Sequence, residues 1–447
     1  MLAVRLAGVR VSRAAGLAAR GVAGEGIMRA LLWVLVLAGA ALGARAETVA
    51  IRAGGVIDVV AGTVARDQVV IVADGVIRGV GRNLPVPADA RLVDLSTEWL
   101  APGLIDAHTH LTLTELTDAA PFESFYLAET TAYRSLRGLH HATALLAQGF
   151  TAVRDVGNDG DYAMADVRRA IERGLFDGPT IVTSGKIIAP YGGQSHAIPH
   201  ERGAIWHYEY LDADTPDEVR KAVRQNLYYG AGLIKLVTDN NPYHSSTEEL
   251  RAAVDEAHKA GVPVAVHVYG GPAAQAAIDA GVDSIEHGFE LTDAQLAQMK
   301  AKGIFLVGTD FPRAHLDVIG TSGGILPEPA VLAPRIVDRL KRAHKVGVRM
   351  AFGSDTVMEQ RGRTRADLML DYLAVWREAG VPAADILRAM TSNAAELLRI
   401  DRARGRIAPG LAADLVAMPA DPLADIEALR RIDFVMKNGR IVRGASR

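Results

Sequence analysis

Short apolar runs rich in β-branched residues recur along the middle of the chain at helix-length intervals, and this repeat restricts the fold more than any other feature. Between about residues 101 and 400 the candidate strands are 104–109, 150–156, 179–184, 232–237, 262–267, 282–287, 304–309 and 348–354. Helical patterns separate them, including a capping sequence that starts at Thr215. Eight strands alternating with helices predict a (β/α)8 TIM barrel. A doubly wound sheet would also alternate, but it would not place the first and last strands side by side.

Both ends of the chain are rich in strands rather than helices. From Thr48 to about Leu100, short apolar segments are separated by glycine turns such as Asp74-Gly75, a pattern typical of β-hairpins. Residues 414–418 and 433–443 form a second strand-rich stretch. Neither stretch alone can bury much core, so we expect 47–100 and 401–447 to pair into one small β-sandwich beside a barrel of residues 101–400.

The first 46 residues differ from the rest, with six arginines, one acid and no lysine. Met28-Arg29 precedes a run of apolar residues at 31–42, and Ala44-Arg45-Ala46 follows it. A basic start, a short apolar stretch and an A-x-A site predict a secretory signal peptide, too short to span a membrane. We expect cleavage after Ala46 and a periplasmic or secreted location, with residues 1–27 an upstream extension. An uncleaved signal anchor is the alternative.

Charge and cysteine content limit the possible partners. Loss of residues 1–46 removes six positive charges and one negative charge, which changes the formal net charge from −3 to −8. An acidic chain without a basic stripe is a poor candidate for binding nucleic acid, and we expect no stable membrane span after signal removal. Because the chain has no cysteine, thiolates are excluded as ligands or nucleophiles. We expect a small-molecule substrate and a homo-oligomer.

Polar side chains end five of the candidate strands. His108 and His110 lie two residues apart, so on a strand both imidazoles project from one face and can hold a divalent metal. Four later strands end in Lys235, His267, His287 and Asp355. Each has a plain alternative: a snorkelling lysine, core histidines or a helix N-cap. Because barrel active sites form at the carboxyl ends of strands, the set together predicts a metal-dependent hydrolase.

Several motifs resemble those of a known family over nearly everything after residue 47. They are Ala101-Pro-Gly-Leu-Ile-Asp-Ala-His-Thr-His110, Glu286-His-Gly288, Gly353-Ser-Asp355 and Pro409-Gly-Leu-Ala-Ala-Asp-Leu415. The chain resembles the amidohydrolase superfamily, in particular the imidazolonepropionase-like branch that includes Xaa-Pro dipeptidases. The resemblance implies two divalent ions, with Zn²⁺ expected. It also implies the ligands: His108, His110 and Asp355 for one ion, His267 and His287 for the second, and a CO2-derived carbamate on Lys235 as the bridge.

The carbamate follows from charge as well as from resemblance. An ammonium is repelled by two cations, whereas a carboxylated lysine is an anionic bidentate ligand. The alternative is an unmodified Lys235 beside a single metal. The candidate catalytic residues are Asp355, which would carry a proton to the leaving amine, His287, and Tyr269, which shares a strand face with His267. Tyr269 is a candidate oxyanion donor or a packing residue.

The expected reaction is hydrolysis of the amide bond of a dipeptide or an N-acyl amino acid, with ochratoxin-type amides as an extension. Arg361 and Arg363 are candidate clamps for a substrate carboxylate, and His196 is a further candidate contact. The loop 238–244 lacks the glycines expected in close dipeptidases, which leaves the side-chain preference open. The alternatives are a one-metal hydrolase of a cyclic amide or imidazolone, and a non-catalytic binding protein.

The signal peptide gives a direct prediction. If the chain is exported and cleaved at the A-x-A site, the mature protein begins at Glu47. Edman sequencing or terminal peptide mass spectrometry of the extracellular or periplasmic protein checks this. A mature chain that begins before Ala38 would contradict cleavage.

Overall fold

The computed structural model describes residues 47–113, 124–195, 198–239, 243–320 and 326–444. The predicted signal peptide and His196 therefore lie outside the described residues. The strands, numbered in chain order, are Val49–Asp58 (β1), Thr63–Ala73 (β2), Val76–Gly81 (β3), Arg91–Pro102 (β4), Leu104–Thr109 (β5), Phe150–Asp155 (β6), Thr180–Thr183 (β7), Ile187–Ala189 (β8), Tyr210–Asp212 (β9), Ile234–Val237 (β10), Val264–Gly270 (β11), Ser284–Glu290 (β12), Phe305–Val307 (β13), Leu415–Met418 (β14), Phe434–Lys437 (β15) and Arg440–Arg443 (β16).

Helices follow most of the central strands, as the alternating pattern predicts. They are Ser124–Ala128 (α1), Thr131–Ala147 (α2), Ala163–Glu172 (α3), Pro216–Tyr228 (α4), Thr247–Lys259 (α5), Gly271–Ala280 (α6), Asp293–Lys302 (α7), Arg313–Ile319 (α8), Pro329–Val346 (α9), Arg365–Leu370 (α10), Tyr372–Glu378 (α11), Ala383–Ala389 (α12) and Ser392–Leu397 (α13). The predicted cap is present, because the Thr215 side chain accepts a hydrogen bond from the Glu218 backbone. No helix in the described ranges is both long enough and apolar enough to cross a bilayer.

The central strands form two parallel sheets. One has the order β5-β6-β7, and the other has the order β13-β12-β11-β10-β8-β9. Gly232 N, just before β10, donates a hydrogen bond of 2.9 Å to the carbonyl oxygen of Thr183, the last residue of β7. This bond links the two sheets. The chain is therefore an α/β protein whose parallel strands all send their carboxyl ends to one edge.

The predicted strand 348–354 is only a bridge and not a full strand. Met350 pairs with Leu306 in the parallel sense, and Ala107 N donates to Phe352 O at 2.8 Å. The segment thus lies between β13 and β5. It passes so close to both that a Cβ on Gly353 would lie 2.4 Å from Val307 Cγ1 and 2.6 Å from His108 Cβ. This close approach shows why a glycine occupies the position.

The two chain ends share one seven-stranded sheet with the order β16-β15-β14-β4-β1-β2-β3. Pairing is parallel between β1 and β4 and antiparallel between β4 and β14. Edge strand β3 also touches the segment before β14, through an isolated bridge between Val76 and Ala412. Apolar residues from both ends, such as Ile51, Val72 and Met436, pack together in a core of their own. The predicted pairing of the two ends is therefore present.

Two strands were missed by the sequence pattern. Ile187–Ala189 and Tyr210–Asp212 pair in parallel and extend the sheet beyond β10. Each has only three residues, too few to show a period along the sequence. These strands matter because they hold the loop after Ala189, which approaches His267 through Gln194.

The tight packing at Gly353 predicts a stability defect. Gly353→Ala should lower the free energy of unfolding by about 1–3 kcal/mol, because the added methyl group meets Val307 and His108 in a filled interior. Urea unfolding followed by circular dichroism measures this change.

Gly81→Ala is the matched control. Its Cβ would lie 3.3 Å from the flexible side chain of Leu84, a contact that can relax. Equal stabilities for the two variants would show that the space around Gly353 adjusts freely.

Candidate active site

The His-Thr-His sequence lies at the carboxyl end of β5, and both imidazoles are buried. Nδ1 of His110 lies 2.8 Å from the carbonyl oxygen of Gly157, which leaves Nε2 free to face the site. Nε2 of His110 and Nε2 of His108 lie 3.3 Å and 3.6 Å from Oδ1 of Asp355. The two residues therefore point into the same space, as the strand alternation predicts.

Asp355 is brought to the histidines by the chain itself. Its backbone N–H donates to the carbonyl oxygen of His108 at 2.8 Å, and its φ of 54° places it in the left-handed region. Ligand atoms of His108, His287 and Asp355 all lie within 4.8 Å of one another. Burial raises the pKa of the Asp355 carboxyl, but His108 and His110 outweigh burial and lower the pKa to about 2. The carboxylate is therefore ionised near neutral pH.

His267 and His287 lie on neighbouring strands, β11 and β12, with ring centroids 4.3 Å apart. Nδ1 of His287 lies 2.7 Å from the hydroxyl of Thr309. Burial, followed by the nearby charge of His267, lowers the pKa of His287 well below its usual value. Burial and the charge of Lys235 likewise lower the pKa of His108 to about 4. Neutral imidazoles are the form that binds a metal.

Lys235 lies on β10 and is almost completely buried. Burial lowers the pKa of its amine to about 8, although the carboxylates of Glu286 and Asp355 favour the charged form. The structure therefore places this amine close to the anions of the same centre. Of the six predicted ligand positions, His108 and His110 lie at the carboxyl end of β5, Lys235, His267 and His287 lie within β10, β11 and β12, and Asp355 follows the bridge segment.

Glu286 is a residue of the site that the sequence pattern did not assign. Its buried carboxylate lies 2.7 Å from Nδ1 of His108, accepts from the hydroxyl of Ser284, and accepts at 2.8 Å from Arg154 with both oxygens. Burial raises the Glu286 pKa, but Arg154 and His108 reverse this effect and hold it well below its usual value. Such a carboxylate fixes Nδ1 of His108 as the protonated nitrogen, so Nε2 presents its lone pair. The only sequence signal was its place beside His287.

The donor set fits a divalent ion. Among the described residues, Nε2 of His108 is a buried nitrogen without a hydrogen-bond partner, although the opposite ring nitrogen is firmly held. Buried polar atoms normally have partners, so this nitrogen indicates a missing ligand. Imidazoles combined with a carboxylate are typical zinc ligands.

The residues predicted to contact the substrate differ in their contacts and exposure. The Arg363 guanidinium pairs with both oxygens of Asp371, at 2.8 Å and 2.9 Å, so a carboxylate clamp would have to break this pair. Arg361 is exposed on the same loop. The ring centroid of Tyr269 lies 4.9 Å from that of His267 and 5.4 Å from that of Phe289, on which the ring stacks. The Tyr269 ring therefore has a packing role, which is independent of any role of its hydroxyl.

Two further side chains approach His267. Oδ1 of Asp239 lies 3.3 Å from Nε2 of His267, and the amide nitrogen of Gln194 lies at the same distance. Neither belongs to an evident motif. Asp239 also accepts from the Tyr269 backbone at 2.6 Å, which fixes its orientation.

A parallel α/β fold with this donor set at its strand ends defines a metal-dependent hydrolase, and comparison with known proteins agrees. The amidohydrolase family profile matches residues 99–442, so the chain belongs to the amidohydrolase family and acts on carbon–nitrogen bonds. Ochratoxinase from Aspergillus niger is 28% identical over 421 residues, covering 85% of this chain and 83% of that protein. Imidazolonepropionase from Salinispora tropica is 24% identical over 380 residues, covering 79% and 86%.

A solved structure is similar over most of the chain. It is a Xaa-Pro dipeptidase with methionine bound in its active site, with 28% identity and a TM-score of 0.77. The match covers 89% of this chain and all of that one. The family expected from the sequence is thus confirmed, and so is the α/β class of the fold with its parallel sheets.

The Glu286 contacts predict a defect in metal binding. Glu286→Gln keeps the shape of the side chain but removes the charge that pairs with Arg154 and orients His108. Metal affinity should fall by about 10–100-fold, as measured by chelator competition.

Glu290→Gln is the control, because Glu290 lies on the same strand but is exposed and pairs with Arg335. Unchanged affinity in Glu286→Gln would mean that Glu286 is needed only for packing.

Proposed function

We propose that the protein is a binuclear metal-dependent amidohydrolase that cleaves the amide bond of dipeptides or N-acyl amino acids. The observation that carries the proposal is the cluster of His108, His287 and Asp355, whose ligand atoms lie within 4.8 Å of one another. His110, His267 and Lys235 surround this cluster. A non-catalytic binding protein would not need a complete ligand set.

The ligand assignment follows the family resemblance, and the contacts between these residues support it. His108, His110 and Asp355 would hold one ion, and His267 and His287 would hold a second, with zinc the expected metal. When bound, such a pair supplies a hydroxide near neutral pH and polarises the substrate carbonyl. The protein contributes the orientation of each ligand, through Glu286 for His108 and Thr309 for His287.

We further propose that Lys235 is carboxylated. Its amine nitrogen would attack CO2 to form a carbon–nitrogen bond, and one proton would be released, so that a neutral amine becomes a carbamate anion. A lysine pKa of about 8 leaves much more neutral amine at neutral pH than an ordinary lysine has. A buried ammonium in this position would repel cations, whereas the carbamate would bridge them.

Asp355 is proposed as the group that moves the proton. Its carboxylate is ionised and faces the histidine pair, with about a fifth of its side chain exposed to the mouth of the site. It would accept the proton released as the new carbon–oxygen bond forms, and donate it to the nitrogen that leaves as the amine. Tyr269 is proposed as a donor to the oxygen on which negative charge develops.

The substrate class rests on the family relatives and on the loop residues. Ochratoxinase and the Xaa-Pro dipeptidase suggest an amide whose leaving group is an amino acid. The free carboxylate of such a group would be matched by a guanidinium, and Arg361 is the preferred candidate because Arg363 is already paired with Asp371. Hydrolysis of ochratoxin-type amides is an extension of the same reaction. A one-metal imidazolone hydrolase is the second candidate, supported by the match to imidazolonepropionase.

We infer that the central strands close into a (β/α)8 barrel. Hydrogen bonds from Ala107 to Phe352 and from Gly232 to Thr183 support closure at the two places where no strand pairing joins the sheets. The bridge between Val76 and Ala412 similarly supports a folded-over sandwich of the two chain ends. The boundaries 47–100, 101–400 and 401–447 remain our proposed division.

We also propose that the mature enzyme is exported and assembles as a homo-oligomer. Export is supported by the basic start, apolar run and Ala-Arg-Ala46 site of the first 46 residues. The terminal sequence of the secreted protein is the relevant measurement.

The proposed reaction is tested with zinc-loaded protein against a library of dipeptides and N-acyl amino acids, with elemental analysis of the same sample. We expect about two zinc ions per chain and release of free amino acids. Asp355→Asn should lower kcat by about 10²-fold or more, because an amide cannot carry the proton. Asp317→Asn, on an exposed helix position, is the control.

The metal content separates the alternatives. One ion per chain together with imidazolone hydrolysis would favour the second candidate. A metal-free protein without activity would indicate a binding protein on the same scaffold and would overturn the proposal.

A further inference from the structure

Gln194 lies at the mouth of the site and belongs to no motif used so far. Its amide nitrogen lies 3.3 Å from Nε2 of His267, a residue that the proposed function assigns to a metal. Its amide oxygen accepts from the hydroxyl of Tyr210 at 3.2 Å. The side chain is half-buried, so it contacts the protein on one side and the mouth of the site on the other.

The loop that carries Gln194 is held firmly in place. The backbone N–H groups of Tyr191 and Gly192 donate to the carboxylates of Asp214 and Asp212, at 3.1 Å and 3.2 Å. Gly193 has a φ of +59°, and a Cβ there would lie 2.6 Å from the Tyr210 ring. The loop therefore packs directly on Tyr210 at Gly193, and Gln194 is the next residue.

Tyr210 fixes which end of the amide faces the site. Because its hydroxyl donates to the amide oxygen, the NH₂ group of Gln194 is turned towards His267. The amide nitrogen carries two N–H groups, so one remains for another acceptor in the site while the other is directed at His267. The acceptor available next to the His267 ligand position is the acyl oxygen of the substrate, on which negative charge develops during attack.

We propose that Gln194 is a catalytic residue that donates a hydrogen bond to the acyl oxygen of the scissile amide, and that Tyr210 is its positioning residue. This inference rests on the proposed amide hydrolysis. A neutral amide donor suits the site because it can stabilise an oxyanion without adding a cation that would repel the metals. Asp239 also approaches His267, but an ionised carboxylate has no N–H or O–H group and cannot donate a hydrogen bond to the acyl oxygen.

Three variants test the proposal in the zinc-loaded full-length enzyme. Gln194→Leu removes both polar atoms, Gln194→Glu keeps an acceptor for Tyr210 but replaces the donor with an anion, and Tyr210→Phe removes only the positioning hydroxyl. We expect both Gln194 variants to lower kcat by about 10²-fold with little change in KM, because the donor acts mainly in the transition state. Tyr210→Phe should lower kcat by a smaller factor.

A second readout does not depend on turnover. A phosphonate analogue of the substrate, whose tetrahedral centre resembles the transition state, should bind more weakly to both Gln194 variants by about the same factor as kcat falls. Isothermal titration calorimetry measures this, and the affinity for the amino-acid product should not change. Gln275→Leu is the matched control, because Gln275 lies on α6 and pairs with Asp279 and Gln298.

The outcomes separate this inference from the proposed function. Wild-type protein that hydrolyses no library amide would overturn both. Wild-type hydrolysis with unchanged kcat in Gln194→Leu or Gln194→Glu would overturn the role of Gln194 alone. Loss of bound zinc in Gln194→Leu would also overturn this role, because it would mean that Gln194 retains the metal. A raised KM with normal kcat would overturn it too, because it would mean that Gln194 binds the substrate in the ground state.

Discussion

Hydrogen bonds between the first central strand and the last central segment hold the candidate site together. Ala107 N donates to Phe352 O and Asp355 N donates to His108 O, both at 2.8 Å, although these residues lie about 250 positions apart in sequence. The contact is close because Gly353 carries no side chain that would meet Val307 and His108. Without it, the carboxylate of Asp355 would not reach the His-Thr-His pair.

The second constraint is electrostatic. Arg154, Glu286 and Lys235 are buried, and burying isolated charges costs far more than a folded protein can tolerate. Here they compensate one another: Arg154 binds both oxygens of Glu286, and Glu286 binds His108. Such an arrangement is a poor way to gain stability. It is instead what a centre needs if its imidazoles are to keep one fixed orientation towards a ligand.

The candidate ligands could be proposed from the sequence because each belongs to a local pattern. A strand of apolar residues ends at a polar side chain, and parallel strands send their carboxyl ends to the same edge. This pattern predicted Lys235, His267 and His287 as ligands, and the three residues lie within the neighbouring parallel strands β10, β11 and β12. Seven of the eight candidate strands were also predictable, apart from ends that differ by up to three residues. The segment 348–354 forms only a bridge, and the very short β8 and β9 were missed.

Contacts that depend on distant loops were not predictable. Arg363 was a candidate clamp, yet it pairs with Asp371, eight residues later, between α10 and α11. Gln194 showed no pattern, because its position depends on Tyr210 and Asp212 of a three-residue strand and on Asp214 just after it. His196 falls outside the described residues, and its contact with substrate stays a prediction. Side chains on loops carry no periodic signal that relates them to a strand face.

The sequence by itself determined the family, the alternation of strands and helices, and the residue types available as ligands, because these depend on motifs and local periodicity. Only the tertiary structure decided which carboxylate orients His108, which arginine is already paired and which amide faces His267. Those answers depend on distances between segments that are far apart in the chain. Distances of that kind are set by packing of the whole fold and leave no trace in the order of neighbouring residues.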